Sequence, residues 1–168
     1  MKHLWAPWRI QYIKSVPRDE CIFCALPIEG RDRENHILHR GVLAFVMLNR
    51  FPYTSGHLMV VPSRHVADLD ALDDQEALEL FHLTTAAMDA IRQTYGPEGF
   101  NVGVNIGRAA GAGIIDHVHL HVVPRWVGDT NFMPVLGEVK VLPEDLTATY
   151  DRIAPTLHAV LAKRTLTP

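Results

Sequence analysis

The chain has 168 residues, enough to bury a core in one domain without disulfide staples. Its 48% hydrophobic and 21% charged content is that of a soluble globular protein, and no apolar run approaches the ~18 residues of a membrane span. A formal net charge of −3 argues against the overall basic footprint of a general nucleic-acid binder.

Residues 1–20, with Pro7 and Pro17, read as an irregular N-terminal arm whose scattered Lys2, Arg9, Lys14 and Arg18 are solvated. The opening "MKHLWAPWRI" lacks the continuous apolar stretch of a signal peptide, which gives the expectation of a cytoplasmic protein. The two cysteines, Cys21 and Cys24, sit in "CIFC". In a reducing compartment that spacing points to a metal or redox pair rather than a structural disulfide.

Residues 41–49 and 57–62 are apolar runs bounded by turn residues, the second stopped by Pro62, and read as antiparallel strands joined through "RFPYTSG". Asp73 and Glu76 have the spacing of a capping box, and Phe81, Thr85, Met88, Ile91 and Tyr95 trace a helical stripe that Gly96 and Pro97 end. Residues 100–107 alternate strictly, with Phe100, Val102, Val104 and Ile106 on one face and Asn101, Gly103 and Asn105 on the other. Near the end, Leu146, Tyr150, Ile153, Leu157 and Val160 keep helical spacing, and Pro155 is expected to kink or split that helix. Antiparallel strands with segregated helices predict an α+β domain. Its divisions are an arm (1–20), a core (21–140) and a C-terminal helical extension (141–168).

The stretch "DHVHLHVVPRW" places His117, His119 and His121 at every second position, with apolar residues between them. As a strand, it carries three imidazoles on one face. Such a face is either solvated polar surface, a metal site, or a site of covalent catalysis by imidazole. The neighbours favour catalysis. The preceding loop "RAAGAG" offers backbone N–H groups that can approach an anion closely, and Asn105 faces the same side of the hairpin.

His117-Val118-His119-Leu120-His121-Val122-Val123 resembles the His-φ-His-φ-His-φ-φ signature of the histidine triad superfamily of nucleotide hydrolases and transferases. The similarity runs through "AFVMLNRFPYTSGH", "GHLMVVP" and "PRWVGD", and "LWAPWR" with "PRWVGDTNF" is similar to the diadenosine tetraphosphate phosphorylase branch. The resemblance implies an antiparallel sheet of about five strands with a long helix on one face. It implies His119 as nucleophile toward an α-phosphate, His121 as a donor to that phosphate, and His57 as the histidine that orients the triad. Asn105 with Gly111, Ala112 and Gly113 would hold non-bridging oxygens, and Asn49 the ribose hydroxyls. Trp126 and Phe132 are aromatics able to stack on a base or to serve as core. Many relatives carry Gln or Ser where this chain has Gly113, which bears on leaving-group recognition.

The same resemblance groups Cys21, Cys24, His65 and His117 as ligands of one structural zinc ion. It implies a homodimer and a small-molecule nucleotide substrate, while the net charge and the lack of a long apolar run give the expectation of no nucleic-acid or membrane partner. The implied activity is nucleotidyl transfer from dinucleoside polyphosphates through a nucleotidyl-histidine, with water or inorganic phosphate as the second acceptor. The alternatives are a nucleoside phosphoramidate hydrolase of the same superfamily and a nucleotide-binding signalling module with slow turnover.

Overall fold

The computed structural model describes residues 20–129 and 144–165. Residues 1–19 of the expected 1–20 arm, and Phe132, lie outside the described residues. The elements are α1 (Ile22–Ile28), β1 (Ile37–Arg40), β2 (Ala44–Leu48), β3 (Leu58–Pro62), α2 (Asp74–Tyr95), β4 (Gly99–Val104), β5 (Leu120–Arg125) and α3 (Leu146–Thr165). The strands form one antiparallel sheet in the order β1-β2-β3-β5-β4. This is the expected α+β architecture.

Every residue of β2 and β3 is buried, so both faces of the sheet centre are covered. Strand alternation divides the work. Ala44, Val46, Leu48, Leu58, Val60 and Val122 pack under α2 and α3, whereas Phe45, Met47, Met59 and Val61 pack under α1 through Phe23. His121 is registered opposite Met59. Paired residues of an antiparallel ladder share a face, so this histidine stands on the α1 side.

The capping box forms as expected. Asp73 accepts hydrogen bonds from the N–H groups of Gln75 and Glu76 at 2.9 and 2.8 Å, and Glu76 accepts from the N–H of Asp73 at 2.9 Å. Gly96, at φ 56°, ends the helix. The buried stripe overlaps the expected one only in part: Ile91 is buried and Met88 and Tyr95 pack against the core. Leu80, Leu83, Thr84, Ala87, Ala90 and Ile91 face the core, and Phe81 is 64% exposed. Small alanines bring α2 close to both the sheet and α3, and that close approach sets the helix rotation.

Three further expectations change. The C-terminal helix runs through Pro155 as one element, with the proline on its exposed side. The apolar side of the 100–107 stretch is only partly covered: Val102, on the edge strand β4, is 45% exposed, and Ile106, just past the strand, 39%. The histidine segment enters the ladder only at Leu120. His117 and His119 lie ahead of it, buried, on a lead-in anchored by the Val118 N–H donating to the Val66 carbonyl at 2.7 Å. Three imidazoles on one solvated strand face are therefore not what forms.

Glu76 does more than cap. Its buried carboxylate takes two hydrogen bonds from Arg64, at 2.8 and 2.5 Å, tying α2 to the segment after β3. The Arg64 guanidinium first, then the Asp73 N–H, hold its pKa down at about 2, below the usual 4.5. A folded-state pKa lowered in this way stabilises fully above the unfolded value and is lost as pH falls toward the folded one. Glu76→Gln is expected to lower Tm by several degrees at pH 7, with the gap from wild type narrowing as pH drops from 5 toward 3. A gap independent of pH, read by thermal unfolding, contradicts this assignment.

Candidate active site and metal centre

Each histidine's protonation can be read from its partners. The His119 Nδ1 lies 3.0 Å from the His117 carbonyl oxygen. A carbonyl only accepts, so Nδ1 carries the proton and Nε2 keeps its lone pair. The ring is 5% exposed, packed against Phe23 with centroids 4.9 Å apart, and burial pushes its pKa below the usual histidine value. His119 is thus a neutral imidazole with a defined basic nitrogen.

The second line of partners ends on His121. The Tyr53 N–H donates to His57 Nδ1 at 3.1 Å, which places the His57 proton on Nε2. That Nε2 lies 3.0 Å from His121 Nδ1 and donates to it. His121 must then carry its own proton on Nε2, at the far side of the ring. The His119 and His121 rings meet edge to face at 4.8 Å. One ring therefore offers a lone pair and its neighbour an N–H. An anionic centre undergoing substitution needs that combination.

Next to His121 is a cavity of about 550 Å³ over the β4–β5 pair. Its lining includes Tyr53, Asn101, Gly103, Asn105 and Arg125. Asn105 is where the sequence placed it. Ala110 also lines the cavity, and Gly111 follows it with φ 80°. Ala112, Gly113, Asn49 and Trp126 are not among the lining residues. The Asn49 side-chain oxygen accepts the Phe51 N–H at 2.9 Å, forming a turn, and half-buried Trp126 follows β5. Tyr53 and Arg125 were missed by sequence reasoning. Arg125 is pinned by Asp129, at 2.5 and 2.9 Å, and by the Asn101 oxygen at 2.7 Å. The alternation of Asn101, Gly103 and Asn105 did carry a signal for this face.

Cys21, Cys24, His65 and His117 come together as expected, with their ligand atoms all within 4.8 Å of one another. Cys21 caps α1 and Cys24 lies one helical turn further on, so both sulfurs face the same way. His117 Nδ1 is 3.3 Å from the Cys21 sulfur and 3.6 Å from that of Cys24, and His65 Nδ1 is 3.4 Å from Cys24. Zn–S bonds of about 2.3 Å and Zn–N bonds of about 2.0–2.1 Å at a tetrahedral angle put sulfur and nitrogen about 3.6 Å apart. The donor set therefore fits a tetrahedral ion. His117 Nε2 donates to the Pro62 carbonyl at 2.8 Å, the outer hydrogen bond that commonly orients a ligating imidazole.

Known proteins resemble this chain in both sequence and fold. A family model described as the HIT domain matches residues 31–127. An AP-4-A phosphorylase of Mycobacterium tuberculosis is 41% identical over 158 residues, covering 89% of this chain and 80% of that protein. An adenosine 5'-monophosphoramidase of Schizosaccharomyces pombe is 31% identical over 135 residues, 76% of this chain and 96% of the relative. The crystal structure of a Zn-bound histidine triad family protein from Mycobacterium smegmatis superposes with a TM-score of 0.68 at 26% identity, over 86% of this chain and 97% of that one. The chain belongs to the HIT domain family.

Proposed function

We propose that this protein is a nucleotidyl transferase or hydrolase acting on dinucleoside polyphosphates, and that it works as a diadenosine tetraphosphate phosphorylase. The observation that carries the reading is the orientation of His119, with Nδ1–H on a carbonyl and Nε2 left basic. The likeness to the mycobacterial phosphorylase over most of both chains supports the substrate class.

In the first step His119 Nε2 attacks the α-phosphorus. The P–O bond to the β-phosphate breaks, ATP leaves, and a nucleotidyl-imidazole forms. The ring becomes cationic, and its Nδ1–H bond to the His117 carbonyl stabilises that charge. His121 Nε2–H donates to an oxygen of the reacting phosphate, held in that tautomer by His57. In the second step an oxygen of inorganic phosphate attacks the same phosphorus, the P–N bond breaks, and ADP leaves with His119 restored. Asn105, which lines the cavity, and the backbone of Gly111, Ala112 and Gly113 are assigned to non-bridging oxygens, and Asn49 and Trp126, which lie outside that cavity, to ribose and base on the nucleoside retained by His119. Splitting one displacement into two lets a single nucleophile serve both directions.

Cys21, Cys24, His65 and His117 would hold zinc. A four-ligand ion is coordinatively closed and supplies structure: it fastens α1 to the lead-in of the histidine segment. The protein is proposed to be a cytoplasmic homodimer without nucleic-acid or membrane partners. The edge strand β4, with exposed Val102, and Ile106 just beyond it offer a pairing surface for a second copy. Among the described residues, no helix is long and apolar enough to cross a membrane.

Two outcomes follow. Incubated with diadenosine tetraphosphate, the protein should give ADP plus ATP only when inorganic phosphate is present, and His119→Ala should give neither. AMP plus ATP regardless of phosphate would make it a hydrolase, and no His119-dependent product would remove the reading. Metal removal by a chelator should lower Tm by roughly 5 °C or more. Activity should fall only as folded protein is lost. A folded, metal-free and fully active protein would contradict the structural assignment.

A further inference from the structure

Gly103 stands in the regular β4–β5 ladder directly opposite His121. A glycine inside a strand weakens it, because it packs nothing and loses the most backbone freedom on folding. Two internal reasons commonly require one, and neither applies. Gly103 is not among the glycines with positive φ. A Cβ built there meets no protein atom within 4 Å. The fold would accept a side chain at this position and, with alanine, would gain stability through the unfolded state. The space such a side chain would enter belongs to the cavity.

The position of that space matters chemically. Residues directly opposite in an antiparallel pair point to the same face, so a side chain at 103 would stand beside the His121 imidazole. His121 lines the cavity and His119 does not. A phosphate held between the two rings turns its side away from His119 toward the cavity. In-line attack by His119 expels the leaving group on that side. From His121 the cavity continues along β5 to Arg125, four residues and roughly 13 Å further on. It ends at the polar wall formed by Arg125 with Asn101 and Asp129. A small leaving group needs none of this length.

We propose that Gly103 is a specificity-determining residue, whose missing side chain opens the cavity floor beside His121 so that a nucleoside polyphosphate leaving group can be seated along β4 and β5. The inference rests on the nucleotidyl-transfer reading and extends it to the far half of the substrate. Because each displacement reverses the geometry at phosphorus, incoming phosphate approaches from the side the leaving group vacated. The same floor therefore admits the second substrate.

The test is a graded series, Gly103→Ala, Gly103→Val and Gly103→Leu. For each, kcat/KM is compared for diadenosine tetraphosphate and adenosine 5'-monophosphoramidate, whose leaving group is ammonia. The selectivity ratio should fall progressively with side-chain size, by roughly tenfold at valine or leucine. Binding of ATP should weaken relative to AMP in the same order, a readout independent of turnover. Gly103→Ala should keep or raise Tm and keep the native mass in solution, so it reports even where the larger variants fold poorly. An unchanged selectivity ratio with an unchanged ATP-to-AMP affinity ratio overturns the inference while leaving the proposed reaction standing. A changed oligomeric state overturns it in favour of glycine serving a subunit contact. Wild-type protein that turns over neither substrate through His119 overturns the underlying reading, and the inference with it.

Discussion

One hydrogen bond organises the site: His119 Nδ1–H to the backbone carbonyl of His117, 3.0 Å away within the same segment. It fixes which nitrogen of the ring is basic, and it makes the ring's placement depend on a neighbour's backbone. That neighbour is held from both ends of its own side chain. His117 Nε2 donates to Pro62 at the end of β3, and Nδ1 faces the two cysteine sulfurs at the start of α1. A residue fixed at two points presents its carbonyl in one direction. In the proposed reaction a zinc ion held by Cys21, Cys24, His65 and His117 would not meet substrate; it would fasten α1 to the segment that carries this carbonyl.

The sheet supplies the rest by alternation. Because Met59 is registered opposite His121, and Gly103 on its other flank, His121 lies in mid-sheet with covered neighbours on one side and open cavity on the other. A slip of one residue in β5 would send it under α2 and bring Val122 to the cavity. The deep core beneath α2 and α3 guards that register, since Val122, Leu58 and Val60 are wholly buried there. The two faces thus have separate tasks. The helix-covered face holds the register, and the α1 face spends its polar groups on chemistry.

Much of this was legible in the residues. Apolar runs bounded by turn residues found β2 and β3, alternation found the two faces of β4, and the cap residues located α2 at Asp73 and Gly96. The resemblance carried by the histidine segment named the ligands that the fold gathers. The missed elements were short. The α1 helix has seven residues with Pro27 among them, and β1 has four, too few for a period to register. The α2 stripe was misjudged at Phe81, because large apolar residues were weighted over alanines, although close packing favours small ones. Nor does sequence spacing reveal that His117 and His119 are buried ahead of the ladder, since pairing at a strand's beginning is decided by the residues across from it. Arg125 gave little local signal: Asp129 is only four residues away, but Asn101 becomes its neighbour only once β4 and β5 pair.

The most direct measurement is chemical trapping of the intermediate. Protein mixed with diadenosine tetraphosphate in phosphate-free buffer is quenched within one turnover, digested under conditions that preserve phosphoramidates, and mapped by mass spectrometry. The account predicts one adenylyl group on His119, discharged as ADP when phosphate is added before quenching. Steady turnover with no adduct, or an adduct on His117 or His121 instead, would contradict it.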